Sequence, residues 1–472
     1  MAREPDGLIV SASGIRGVVG PGLDPGVAAR YGGAFGSRVA RGSSGRPLTL
    51  LARDSRVSGP LLADAVAAGL RAAGCAVRDL GVAATPTALL AVQDDGRAEG
   101  GVIVTASHNP VQWNGLKLAS AGGEFVSPEE GRAVQEAYES GPRWAAWDDL
   151  GGREDGGGAV DHHVARILAL DVLDPEAVAA RGFRVALDTV RGAAGPVMSR
   201  LLERLGCRVE GRDLEPDGIF PRDPEPRPEN LDGLGELVRA TGSDLGMAVD
   251  PDGDRLALVD GDGEPVGEDH TLALAAAHVL ALRPGPAVTN LSSSRAIADV
   301  VERAGGEIHL APVGEANVAR RMREVDAVIG GEGNGGVMLP SLHLTRDAPV
   351  AAALVLACLA RRGSTLREAV DELPGYAISK RRAPRPEGDL EDVYRALAAA
   401  AGDDARRDRQ DGLRLDWPDE RKWLHVRPSG TEPIVRVIAE APSAEEAGRL
   451  TARALERIGP AEGPGGEDDK GD

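Results

Sequence analysis

Cysteine and aromatic residues are the scarcest features of this 472-residue chain, with three cysteines and 3% Phe, Trp and Tyr. Cys75, Cys207 and Cys358 stand far apart with no paired spacing. That disfavours a disulfide framework and a cysteine zinc site, and it fits a reducing compartment. No apolar run is long enough to span a bilayer and no basic-then-apolar leader opens the sequence, so the expected location is cytoplasmic. Positive charge is short as well. A formal net charge of −20 sets up a field that repels nucleic acid and anionic membranes as main partners. Any phosphate must then be held by local basic pockets.

A 42% hydrophobic fraction is enough to fill the cores of the roughly three or four domains such a length implies. Three segments share one pattern: apolar strand, polar turn ending in Arg, Ala/Leu-rich helix, Gly stop, short strand. They run Leu50 to Val77 with Asp54-Ser55-Arg56 and Gly74, Val185 to Val209 with Thr189-Val190-Arg191 and Gly206, and Val288 to Ile308 with Ser293-Ser294-Arg295 and Gly305. Strand and amphipathic helix in alternation predict βαβ units and mixed or parallel sheets, and shared Arg and Gly offsets favour true repetition. From Leu390 the pattern changes to helix, strands near Leu413–Leu415, Trp423–Val426 and Val435–Ala439, then a helix over Ala444–Ile458. The predicted fold is therefore three related α/β domains with mixed sheets and a smaller α+β C-terminal domain. Boundaries fall at 1–155, 156–260, 261–372 and 373–460, with linkers read at Gly151–Gly158, Asp260–Glu268 and Leu373–Glu387. Residues 461–472, rich in Gly, Pro and acid, read as a disordered tail.

Four motifs carry chemistry. Thr105-Ala106-Ser107-His108-Asn109-Pro110 follows an apolar run, so Ser107 is displayed at a strand end. It lacks the Gly-x-Ser-x-Gly elbow of an acyl hydrolase. Asp250-Pro251-Asp252-Gly253-Asp254-Arg255 folds three carboxylates toward one hard cation, with magnesium the natural choice. An EF-hand would need Gly where Arg255 stands and Glu where Gly261 stands. In Gly331-Glu332-Gly333-Asn334-Gly335-Gly336, Glu332 and Asn334 offer an acceptor and an amide to vicinal hydroxyls. Arg427-Pro428-Ser429-Gly430-Thr431, with Arg436 nearby, supplies hydroxyls, backbone N–H groups and a guanidinium fork suited to a phosphate dianion. Each motif alone also reads as an ordinary turn. Lys117, in a chain biased to Arg, is a candidate proton shuttle because Lys shifts its pKa readily.

With these residues in order, the chain resembles the α-D-phosphohexomutase superfamily over all but the tail. The resemblance implies four domains around a central cleft, and a phosphoserine at Ser107. It also implies magnesium held by Asp250, Asp252 and Asp254 with a Ser107 phosphoryl oxygen, and Arg16 of Ser13-Gly14-Ile15-Arg16-Gly17 near the moving phosphate. His108, Lys117 and Arg255 join the catalytic candidates. Phosphoserine would add about −1.5 to −2 charges, which three carboxylates tolerate only with a divalent cation between them. The implied reaction moves a phosphoryl group between the 6- and 1-hydroxyls of a hexose phosphate through a bisphosphorylated sugar. The resemblance also implies a hexose 1,6-bisphosphate as activator, and a monomer or homodimer is expected.

Asn334 and Gly336 replace the Ser and His that many members carry in the sugar loop. In Pro312-Val313-Gly314-Glu315, the acid at Glu315 would attract the ammonium of an amino sugar or form a plain salt bridge. Glucosamine phosphate is thus the expected substrate, with mannose or glucose phosphate as the alternative. A non-catalytic sugar-phosphate sensor or a sugar phosphatase are the remote ones.

Overall fold

The computed structural model describes residues 7–11, 13–43, 45–386, 388–429 and 433–458. The tail read at 461–472 lies outside the described residues. The chain divides into two compact units, one built from 1–271 and 335–367, the other from 272–334 and 368–472.

The first unit holds two sheets. Strands β1 (Leu8–Ser11), β2 (Gly14–Val18), β3 (Leu48–Arg53), β4 (Ala76–Val82), β5 (Ala98–Val104), β6 (Trp113–Ser120) and β7 (Arg153–Asp155) lie in the order β1-β2-β6-β5-β3-β4-β7. Strands β5, β3, β4 and β7 run parallel, while β6, β2 and β1 are antiparallel to their neighbours, a mixed sheet. Strands β8 (Arg184–Asp188), β9 (Arg208–Arg212), β10 (Leu245–Val249) and β11 (Leu256–Val259) follow in the order β11-β10-β8-β9, antiparallel only at β11. Helix Pro25–Gly42 starts on Asp24, whose side chain accepts from Val27 N–H, with Pro at its first turn. It meets helix Gly59–Ala72 at Gly69, where a Cβ would fall 2.0 Å from Ala29 O. Leu62, Val66 and Leu70 fill the core beside this contact with Tyr31 and Phe35.

In the second unit β12 (Ala287–Asn290) lies between β13 (Ile308–Ala311) and β14 (Ile329–Glu332), parallel to both. A separate antiparallel sheet comprises β16 (Ala377–Pro384), β17 (Arg406–Asp408), β18 (Leu413–Trp417), β19 (Lys422–Pro428) and β20 (Ile434–Ala441), in the order β16-β20-β19-β18-β17. Strand β15 (Gly336–Met338) is numbered with the first unit. The helices Leu390–Ala401 and Ala444–Ile458 cover this last sheet over Leu413, Leu424, Val435 and Val437.

The three predicted repeats are present as β3–helix–β4, β8–helix–β9 and β12–helix–β13, each a parallel pair. Each helix is followed by a Gly at positive φ: Gly74 (+92°), Gly206 (+74°) and Gly305 (+74°). The three stretches read as linkers hold ordered structure. Arg153–Asp155 in the first is the edge strand β7. Asp260–Glu268 turns back on β11 through the Val259↔Pro265 bridge. Ala377–Pro384 in the third is β16, paired along its whole length with β20. These are charged or Pro-flanked edge segments, so they lack the apolar alternation that marks a buried strand.

Candidate active site

Strand β5 is buried along most of its length and delivers the loop Thr105–Val111. Ser107 sits there at φ +50°, a left-handed conformation that a non-Gly residue holds only when its surroundings enforce it. The enforcement comes from Arg56 and Asp54. Thr105 Oγ1 accepts Ser107 N–H at 2.9 Å and donates to Asp54 Oδ2 at 2.6 Å. Arg56 is fully buried and spends all five N–H donors. Its Nε donates to Asp54 Oδ2 (3.0 Å), one terminal nitrogen to Pro110 O (2.7 Å) and Trp113 O (2.9 Å), the other to Ser107 O and Asn109 O (both 2.6 Å). The ring of Phe220 covers the guanidinium at 5.0 Å. The sequence showed Arg56 only as a repeat marker, because its carbonyl partners lie more than 50 residues away.

Strand β10 ends in the second motif. Asp250, Asp252 and Asp254 are at most 1% exposed, and one oxygen from each lies within 4.8 Å of the others. Asp250 Oδ1 accepts the N–H groups of Gly253 (3.1 Å), Asp254 (3.0 Å) and Arg255 (3.2 Å), which curls the loop around this carboxylate. Its Oδ2 stands 3.5 Å from Ser107 Oγ. Asp252 Oδ2 accepts Lys117 Nζ (2.8 Å) and Thr85 Oγ1 (2.7 Å), and Arg346 pairs with Asp254 Oδ2. Asp252 Oδ1 and Asp254 Oδ1 are buried without a hydrogen-bond partner.

The electrostatics fit a cation. Burial, then Asp254 and Asp252, push the Asp250 carboxyl well above its usual range. Burial also works to raise Asp252, but Lys117 and the Thr85 hydroxyl overcome it and hold that group ionised below the usual range. Two orphaned carboxylate oxygens beside a carboxylate crowded by its neighbours form an all-oxygen donor set of the kind a hard divalent ion takes.

The structure brings the remaining candidates of the first unit to the same place. His108 Nδ1 is 3.4 Å from Ser107 Oγ, and burial followed by the charges of Arg255, Arg346 and Arg16 holds the ring neutral. Arg16 donates to Asn109 Oδ1 at 3.3 Å. Arg255 pairs with the buried Glu225 at 2.8 Å. Arg346 and Glu225 had no motif to announce them. A second cluster, His163, His343 and Asp347, is fully buried, but both Nε2 atoms lie 2.8 Å from Asp347 Oδ2. Two ring N–H donors thus occupy that oxygen, and Asp347 Oδ1 caps helix Ala348–Arg362 through Val350 N–H.

In the second unit Glu332 is 3% exposed, and its Oε1 accepts Asn290 Nδ2 (2.8 Å) and Gly314 N–H (2.9 Å). Glu315 is the first residue of helix Glu315–Glu324. Asn334 is half-buried near the end of β14. Arg427 and the buried Arg436 stand opposite each other in the β19–β20 register. Arg427 Nε donates to Asp411 Oδ2 at 2.9 Å, and Ser429 N–H to Ile434 O at 2.9 Å. Gly430 and Thr431 lie outside the described residues.

This fold and sequence have known counterparts. Models of the phosphoglucomutase/phosphomannomutase α/β/α domains I, II and III match residues 7–143, 161–263 and 267–376, and the model of the C-terminal domain matches 381–457. A probable phosphoglucosamine mutase of Methanopyrus kandleri is 38% identical over 94% of this chain and 96% of its own. A phosphoglucomutase/phosphomannomutase of Thermococcus kodakarensis is 37% identical over 93% and 96%. The crystal structure of a phosphoglucomutase/phosphomannomutase family protein from Burkholderia thailandensis superposes with a TM-score of 0.82 at 30% identity, covering 98% of this chain and 100% of that one. The chain belongs to the phosphoglucomutase/phosphomannomutase family of the α-D-phosphohexomutase superfamily, enzymes that isomerise hexose phosphates by phosphoryl transfer.

Proposed function

We propose that this phosphohexomutase interconverts glucosamine 6-phosphate and glucosamine 1-phosphate through a phosphoserine at Ser107. The observation that carries the reading is the 3.5 Å approach of Ser107 Oγ to Asp250 in a cage with two buried carboxylate oxygens that accept no hydrogen bond. Asp250, Asp252 and Asp254 would hold magnesium, which when bound neutralises charge on the transferring phosphoryl group. The protein groups do the rest. Arg56 and Asp54 fix the loop so that Ser107 Oγ faces the cage. The P–O bond to Ser107 breaks as a new one forms to the sugar hydroxyl, and His108, held neutral, takes the hydroxyl proton and passes it to the departing Ser107 Oγ, 3.4 Å from its Nδ1. Lys117 stays charged against Asp252 and offsets the phosphate. A hexose 1,6-bisphosphate would restore phosphoserine when an intermediate escapes, with Arg427, Ser429 and Arg436 as phosphate ligands and Glu332 and Asn334 as hydroxyl readers.

The amino sugar is favoured by Glu315 and by the name of the Methanopyrus relative. The neutral hexoses are the second reading, because an acid in the first turn of a helix is also favoured by the helix dipole. A cytoplasmic enzyme is part of the proposal, supported by three free buried cysteines. Among the described residues no helix is long and apolar enough to cross a membrane.

The test compares kcat/KM for glucosamine 6-phosphate, mannose 1-phosphate and glucose 1-phosphate with magnesium and a bisphosphate activator, alongside Ser107→Ala. The amino sugar should lead, and Ser107→Ala should abolish turnover without unfolding the protein. Equal turnover of the neutral sugars would reassign Glu315 as a structural acid, and an active Ser107→Ala would remove the phosphoserine route.

A further inference from the structure

A chain of hydrogen bonds in the second unit closes on itself and passes through none of the predicted motifs' hydroxyls. Gly314 N–H and Asn290 Nδ2 both donate to Glu332 Oε1 (2.9 and 2.8 Å). Asn290 Oδ1 accepts Ser292 N–H (2.8 Å), and Ser292 Oγ meets His425 Nδ1 (2.9 Å). His425 Nε2 lies 2.6 Å from the backbone oxygen of Asp411, whose Oδ2 accepts both Arg427 Nε (2.9 Å) and Val313 N–H (3.1 Å). Val313 adjoins Gly314, where the circuit began.

We infer that His425 and Asp411 are positioning residues that tie Arg427 of the phosphate loop to the Val313–Glu315 loop and Glu332. The inference rests on the reading of Arg427 and Glu332 as substrate ligands. The tautomer follows from the partners: a carbonyl oxygen can only accept, so Nε2 carries the proton and Nδ1 accepts from the Ser292 hydroxyl. His425 is fully buried, and burial pushes its pKa down to about 4, which keeps this neutral form across the physiological range. Each link is modest by itself, but bonds in a buried circuit polarise one another and fix geometry. One carboxylate oxygen of Asp411 sets where the Arg427 fork points relative to the backbone that carries Glu315. Substrate must satisfy a phosphate reader and a sugar reader at a fixed separation, so errors in that separation fall on binding.

The test uses the full chain and two substitutions. His425→Phe keeps a ring but loses both bonds, whereas the amide of His425→Gln reaches the Nε2 position and can still donate to Asp411 O. Mutase KM for the preferred hexose phosphate should rise about tenfold in the Phe variant, equivalent to about 1.4 kcal/mol, with a smaller change in kcat and partial recovery in the Gln variant. Titration with inorganic phosphate should show the same order of weakening, and ring 15N shifts of the wild type should report a protonated Nε2 and a bare Nδ1. Absence of mutase turnover in the wild type would strike the proposed function alone, since phosphate affinity and the 15N shifts still decide this inference. Equal KM and equal phosphate affinity in wild type and variants, or the opposite tautomer, would overturn it. Should the Phe variant not fold, the Gln variant and Asp411→Asn carry the same comparison.

Discussion

The first two βαβ repeats place an arginine at the same step after their first strand and use it in opposite ways. Arg56 has no exposed side-chain surface and grips three carbonyl oxygens of the loop that carries Ser107 and one at the start of β6. Arg191 is 37% exposed at φ +55° and pairs with Asp213 and Asp217. The scaffold is common, but the neighbouring strand differs. Beside β3 lies β5, which ends in the Ser107 loop. Beside β8 lies β10, which ends in the carboxylate cage. The cage is wrapped by its own backbone amides through Asp250 and takes its side-chain partners from Lys117, Thr85 and Arg346, so it does not call on Arg191. A serine held at positive φ needs a brace, and the guanidinium of the first repeat supplies it.

Four perturbations would break or sharpen this contrast. Arg56→Lys keeps a charge near Asp54 but loses the planar fork, so kcat should fall about a hundredfold, as expected when a reacting group shifts by about 1 Å. A kcat within twofold of wild type would mean the Ser107 loop holds itself. Next in size, Asp252→Asn removes the partner of Lys117 and a cage charge, and the magnesium concentration for half-activation should rise about tenfold or more. An unchanged magnesium titration would remove Asp252 from the cage.

Acid should weaken the fold itself through the buried histidines. Burial lowers the native pKa of His343 and takes that of His425 to about 4, so below an unfolded value of about 6.5 the unfolded chain gains protons that the native one does not. Stability present above that value is lost as pH falls toward 4, at up to about 1.4 kcal/mol per pH unit for each ring. Urea midpoints measured from pH 7.5 to 4.5 test this, and a flat profile would show that neither ring is held neutral. Smallest of all, Arg191→Lys should leave mutase kinetics unchanged, because its ion pairs are solvated. A large loss there would make the two repeats functionally alike.

Much of this was legible in the sequence because its signals are local. Buried strands such as Leu245–Val249 and the three Gly stops follow from apolar runs and from the left-handed residue after a helix. The Ser107 and Asp250–Asp254 motifs likewise carry their chemistry within a few residues. Strands β7, β16 and β17 escaped because Arg, Lys, Glu and Asp on a sheet edge look like linker. The supporting residues escaped for another reason. Arg56, Glu225, Arg346, Asp411 and His425 are ordinary polar side chains whose partners are brought to them by the fold, such as Arg346 to Asp254 across 92 positions.

Asp250 has one more consequence, which concerns kinetics. Three amides already close the loop on its Oδ1, so the entropy of shaping the cage is met when the chain folds and not when an ion arrives. For the magnesium ion of the proposed function, arrival and departure would then require only the exchange of a hydration shell for carboxylate oxygens. On the proposed reading, the loop would wait in its working shape through intervals of metal scarcity and return to service at the speed of ligand exchange.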